Sequence, residues 1–220
     1  MAGRINCLLR LKEELPVNKK FFFIDFEFSM PDARLTAQGF YPEIIEAGLV
    51  IADKDQIVRT FSSYVKPSAF PVLTERCKRF LKIEQQQVEE GISFDELTRI
   101  LAEWNEDGEQ SIITWGNMDM KVLRKNCEET GLPFPLKGQF IDLSMEYKTF
   151  FGDRNQTGLW KAVQEYGKEG TGRHHRALDD ALTTCHIYNL VEKDKAYMKK
   201  SKPPTIGDLV DFSQLLNRMA

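Results

Sequence analysis

Apolar and polar positions along the 220-residue chain alternate between a period of two and a period near 3.6. The first strong signal is Phe21–Met30, FFFIDFEFSM, whose Phe and Ile flanks predict a strand inside a sheet with both faces covered. Strand side chains alternate, so Phe21, Phe23, Asp25 and Glu27 share one face, and Phe22, Ile24, Phe26 and Phe28 share the other. Pro31–Pro42 is a polar loop containing Gly39. Glu43–Ala52 and Gln56–Val65 are β-rich, and Asp53-Lys54-Asp55 between them predicts an antiparallel hairpin. Helices are predicted over Thr74–Ile83 and Ser93–Asn105. In the second, Ser93 and Glu96 make a capping box ahead of apolar Leu97, Ile100, Leu101 and Trp104. Ser111–Trp115 predicts a short strand leading through Gly116 into a helix at Asn117–Thr130. Gln139–Leu143 predicts another strand, and Gly158–Tyr166 and Ala177–Glu192 two further helices.

A hairpin first and strand–helix alternation later predict an α/β fold, a mixed sheet of antiparallel hairpin and parallel strands flanked by helices. Three segments follow: a weakly helical arm over residues 1–19, a central domain over 20–195 and a tail over 196–220. Lys202-Pro203-Pro204 breaks the last helix, and Ile206–Met219 is a short amphipathic stretch.

Composition narrows the function classes. A hydrophobic content of 42% is enough for a real core. A net charge of −3 and a pI near 5.8 argue against broad electrostatic coating of nucleic acid, but not against a small site where bound cations supply positive charge. Cys7, Cys77, Cys127 and Cys185 are widely spaced without CxxC, so neither a zinc site nor a disulfide framework is indicated. Charged residues interrupt Met1–Pro16, which does not read as a signal peptide, and no apolar run approaches membrane-spanning length. The expectation is a soluble, cytoplasmic protein with no membrane association.

Asp25 and Glu27, one pleat apart on an otherwise apolar strand, repel each other and lose hydration unless something compensates. A divalent cation would compensate; acids lying past the strand end, in water, would need nothing. Asp119 shares a helical face with Leu123 and Cys127, which points it toward the sheet, although a first-turn acid also suits the helix dipole. In the last helix Ala177, Ala181, Thr184, Cys185, Tyr188 and Val191 form one buried stripe. Asp179 then falls nearly opposite, in solvent, and Asp180 lies on the flank, within reach of a cleft beside the sheet. His175 precedes the helix by less than a turn, after Gly170-Thr171-Gly172, with His174 beside it.

Taken together, D-x-E on a strand, D on a mid-chain helix and H-x4-D on a late helix resemble the DEDDh 3′–5′ exonucleases, which have a ribonuclease H-like fold. The resemblance covers roughly residues 20–192. FIDFE carries the first motif at Asp25 and Glu27, ITWGNMDMKVL the second at Asp119, and HRALDDA the third at His175 and Asp180. The wording FIDFEFSMP, PEIIEAGLV and TWGNMDM is similar to the KapD-like branch, which also takes in the eukaryotic enhanced-RNAi exonucleases. The resemblance implies an exonuclease domain over 20–195 that releases 5′-mononucleotides from 3′ ends of single-stranded RNA or DNA. It implies two Mg2+ ions, with Mn2+ able to substitute. Asp25 would bridge them, Glu27 and Asp180 would hold the nucleophile-side ion, and Asp119 would hold the other through water. His175 would be the general base, with an ordinary pKa suited to taking a proton near neutrality.

Phe28, Met30 and Met118 are candidate substrate contacts, and Phe28 or Met118, beside the carboxylates, could stack a terminal base. Other conspicuous residues have plainer readings. Glu43 and Glu46 sit on a different strand, Glu46 bonding locally; Asp142 caps a helix; Trp115 and Trp160 belong to the core. Lys121, Arg124 and Arg173 are scattered surface cations. Two rivals remain: a ribonuclease H-type endonuclease, and a regulatory binding protein on an exonuclease fold that inhibits sporulation signalling through a protein partner. The endonuclease does not place D-x-E on one strand with a histidine five before the last aspartate.

Overall fold

A strand with two apolar faces needs cover on both, and that requirement organises the molecule. The structure is a computed structural model that describes residues 20–32, 38–53, 56–106, 108 and 110–200. The expected arm, the proline break, the amphipathic tail stretch, Cys7 and the turn residues 54–55 lie outside the described residues. β1 (Lys20–Phe28) is central. It pairs antiparallel with β2 (Ile44–Asp53) and parallel with β4 (Ser111–Thr114). β3 (Gln56–Tyr64) extends the hairpin, β5 (Gln139–Asp142) runs parallel to β4, and the order is β3-β2-β1-β4-β5. The mixed sheet is the expected one.

The two faces sort as the alternation predicts. Phe22, Ile24 and Phe26 pack under α3 (Phe94–Trp104) and α4 (Met118–Thr130), through Leu97, Leu101, Trp104, Val122, Leu123 and Cys127. Phe23 packs on the other face with α5 (Leu143–Phe151), α6 (Leu159–Glu165) and α7 (Ala177–Lys200). A third cluster joins Ile45 to α1 (Glu75–Leu81) and α2 (Gln85–Glu89). Cys127, Cys185 and Cys77 are buried, one in each cluster. Among the described residues no helix is long and apolar enough to cross a membrane.

Some elements differ from expectation. α2 and α5 are additional helices, and α7 runs on to Lys200; its last two turns are mostly exposed and carry no apolar stripe to mark them in the sequence. The Ser93 hydroxyl does accept the Glu96 N–H at 3.1 Å, and Asp142 caps α5 by accepting the Met145 N–H.

One close approach sets the position of α7. Gly48 in β2 lies opposite Asp25 in the antiparallel register. A Cβ at Gly48 would sit 2.1 Å from the Ala177 carbonyl carbon, so only glycine lets the start of α7 rest directly on the sheet. That contact carries the last acidic motif to the first.

Candidate active site

β4 ends before β1 does. Their ladder runs from Phe21↔Ser111 to Phe23↔Ile113, so β1 continues past it toward Asp25 and Glu27. The Phe26 N–H that projects beyond this ladder donates to Asp119 Oδ1 at 2.9 Å, which fastens the first turn of α4 to β1. Asp119 is buried together with Leu123 and Cys127, as their shared face predicts.

From the other side α7 brings Asp180, which is 6% exposed. Both its oxygens are engaged: Oδ1 accepts the Trp160 indole N–H at 2.6 Å, and Oδ2 accepts the His175 backbone N–H at 3.1 Å. His175 has φ +62, a left-handed conformation that costs energy for a residue with a Cβ. Its ring, Glu27 and Asp180 each offer one ligand atom, all within 4.8 Å of one another. Asp25, Glu27, Phe28, Met118, Asp119, His175 and Asp180 line a cleft of about 220 Å³, along with Trp115, Trp160 and His174.

The electrostatics follow from burial. It raises the Asp25 carboxyl well above its ordinary value, and Asp119, Glu27 and Asp180 add to the effect. Glu27 is pushed up to about 8 by burial and then by Asp180, and Asp119 to about 7 by burial, partly opposed by its bond from Phe26. Asp180 is raised by burial, against the Trp160 bond, and His175 is lowered by burial, then by His174 and Lys82. Crowded carboxylates that take up protons for want of positive charge are the oxygen donor set a hard divalent cation uses. Asp25, Glu27, Asp119 and Asp180 could hold such ions.

Several expectations need correcting. Met30 packs into the third core cluster with Ile45, Leu73 and Cys77 and not into the cleft, whereas Phe28 and the half-exposed Met118 do line it. Asp179 is not simply solvated: its Oδ2 accepts the Arg173 N–H at 2.8 Å, and Gly172 folds against its carboxyl group. Trp160 is only partly core, because its indole N–H holds Asp180. Glu46 does not bond locally. The register sets it opposite Glu27, and it pairs with Arg176 at 3.0 Å, 1% exposed, with Oε2 lacking a hydrogen-bond partner among the described residues. Glu43 accepts the N–H groups of Ser68, Ala69 and Phe70 and so holds that loop. The Glu46–Arg176 pair had no signal in the sequence, where Glu46 stands in an apolar run and Arg176 in the polar RHHRALDD.

An antiparallel hairpin continued by two parallel strands, with acids gathered where the central strand outruns its neighbour, is the ribonuclease H-like arrangement of DEDDh nucleases. The chain belongs to the exonuclease family: the family model described as "RNase_T: Exonuclease" matches residues 22–188. It is 59% identical over 195 residues to "Probable 3'-5' exonuclease KapD" of Bacillus subtilis (strain 168), covering 89% of this chain and 95% of that protein. It is 31% identical over 204 residues to human "ERI1 exoribonuclease 2", covering 80% of this chain but 29% of that longer protein. Among solved structures, the nuclease domain of 3'hExo, a DEDDh family member bound to rAMP, superposes with a TM-score of 0.72 at 27% identity. The match covers 81% of this chain and 94% of that one.

Proposed function

We propose that this chain is a 3′–5′ exonuclease that uses two divalent ions, Mg2+ with Mn2+ able to substitute, to release 5′-mononucleotides from single-stranded RNA or DNA. The observation that carries the reading is the meeting of four raised-pKa carboxylates and a histidine in one cleft. When bound, the ions supply positive charge at the phosphate and at the attacking and leaving oxygens. Asp25, flanked by the other acids, would be shared between the ions, and Glu27 and Asp180 would hold the nucleophile side. Asp119, with one oxygen committed to Phe26, would contribute through water.

His175 is the base. Its lowered pKa keeps the ring neutral near pH 7, and it takes the proton of the attacking water at the ring nitrogen facing Glu27 and Asp180. A bond forms from the water oxygen to phosphorus as the bond from phosphorus to the 3′-oxygen breaks; the 3′-oxygen takes a proton from solvent and leaves as the 3′-hydroxyl of the shortened strand, and the terminal nucleotide departs as a 5′-monophosphate. The cleft of about 220 Å³ is small for a ligand site, which suits one terminal nucleotide and not a duplex. Phe28 and Met118 offer its base apolar surface. The buried thiols, one in each core cluster, fit a reducing cytoplasm.

The test is a 5′-labelled single strand of RNA or DNA incubated with Mg2+. The reading expects stepwise shortening from a free 3′ end, arrest by a 3′-phosphate, and no cutting of a circular strand. Internal cuts in the circle would overturn it in favour of the endonuclease rival. No cleavage by folded, metal-loaded protein would overturn the reading and favour the regulatory one.

A further inference from the structure

We propose that Trp160 is a positioning residue for the metal site: its indole N–H orients Asp180, and its ring face braces the loop that carries His175. The inference rests on the metal-dependent reading above and adds a residue that lies outside all three acidic motifs.

Three contacts converge on this one side chain. The indole Nε1–H donates to Asp180 Oδ1 at 2.6 Å, a short bond to a carboxylate with little freedom left, since its other oxygen accepts the His175 N–H. Gly170 lies directly over the ring. A Cβ there would be 2.6 Å from the indole, so the Gly170–Gly172 approach is moulded on Trp160. His174 then lies between Trp160, tilted by 48° with ring centroids 5.0 Å apart, and His175, on which it stacks at 3.8 Å with an interplanar angle of 19°. A covered indole N–H needs a partner, and here that partner is one of the carboxylates proposed to hold the ions. Here the N–H fixes the carboxylate, and the ring fixes the backbone that supplies that carboxylate's second donor. Groups that hydrogen-bond to metal-holding side chains typically change metal affinity or activity by about 10–100-fold when removed.

The experiment titrates Mn2+ alone into wild type, Trp160→Phe, Asp180→Asn and the double variant, following binding by calorimetry. Phenylalanine keeps a ring under Gly170 and His174 but has no N–H. Trp160→Phe should weaken Mn2+ binding by about 10–100-fold with little change in melting temperature. In the Asp180→Asn background the same change should cost no further affinity. Unchanged affinity in Trp160→Phe, or an equal loss with and without Asp180, overturns the proposal. Should Trp160→Phe not fold, wild type labelled with 15N at the three indoles decides it. One indole N–H resonance should move both on Mg2+ addition and in Asp180→Asn, and absence of such a resonance overturns the proposal. Wild type that binds no Mn2+ would sink the metal-dependent reading as well. Wild type that binds Mn2+ and cleaves, with Trp160→Phe its equal, sinks this inference alone.

Discussion

Adding a single methyl group at Gly48, far in sequence from Asp119 and Asp180, tests how the site is assembled. In Gly48→Ala the new Cβ would meet the Ala177 carbonyl carbon at 2.1 Å, its oxygen at 2.2 Å and the Leu178 nitrogen at 2.2 Å. These are backbone atoms that cannot rotate away. To reach an ordinary contact of 3.4 Å, β2 and the start of α7 must part by roughly 1.3 Å. Overpacking of this kind costs about 1–3 kcal/mol, and a domain of this size loses about 2–4 °C of melting temperature per kcal/mol. The effect on turnover should be larger. His175 and Asp180 ride on the displaced segment, and a misplacement of about 1 Å at a reacting centre costs on the order of 10²-fold. The assay is single-turnover release of mononucleotides beside a thermal melt, with Ala52→Val as control. Ala52 is fully buried on the same strand but opposite Phe21, at the far end from the acids, so its overpacking should lower stability and spare turnover. Equal turnover in Gly48→Ala and wild type, with unchanged melting, would refute the argument.

Chelation with EDTA should abolish cleavage, Mg2+ or Mn2+ should restore it, and Asp25→Asn should be the most damaging single change; cleavage that persists in EDTA contradicts this. Asp180→Asn should remove most activity, whereas Asp179→Asn keeps an acceptor for the Arg173 N–H and should cost little; the reverse order in a kcat comparison would displace the register. His175→Ala should lower kcat by about 10²–10⁴, the usual range for a general base, with His174→Ala much milder in the same assay. Without metal, the folded protein holds protons on Glu27 (pKa about 8) and Asp119 (about 7) that the unfolded chain gives up near 4.5 and 3.8. The contribution of these two groups to stability is therefore fully present below about pH 4 and is lost as pH rises toward 8. Melting in EDTA should fall across that range, and saturating Mg2+ should flatten the slope; a rise in EDTA would contradict the assignment.

The parts of this site legible in the sequence were those governed by a single element's period. The strand alternation put Asp25 and Glu27 on the face opposite Phe26, and the helical repeat put Asp119 with Leu123. The pairing of His175 with Asp180 was legible only through the resemblance to the DEDDh motif, whose five-residue spacing selects His175 over His174. What stayed hidden depends on which elements become neighbours. Glu46 meets Glu27 only through the β1–β2 register, and Arg176 reaches Glu46 only because Gly48 admits α7. Trp160, on a short helix with apolar neighbours, reads as core until the turn after α6 folds back over it. Asp179 was misplaced because helical geometry describes what a side chain faces across the helix, not the loop that returns to cover it. Met30 was misplaced because the strand ends at Phe28, after which the alternation no longer applies.

The central claim is that Asp25, Glu27, Asp119 and Asp180 together hold the ions that act on a terminal phosphodiester. It is tested most directly by anomalous diffraction from crystals grown with Mn2+ and a nucleoside 5′-monophosphate. The account predicts two Mn2+ peaks in the cleft lined by these acids, sharing Asp25, with the nucleotide phosphate against them and its base beside Phe28 and Met118. Mn2+ bound elsewhere on the protein, or an ordered nucleotide in the cleft with no ion among the four carboxylates, would contradict it.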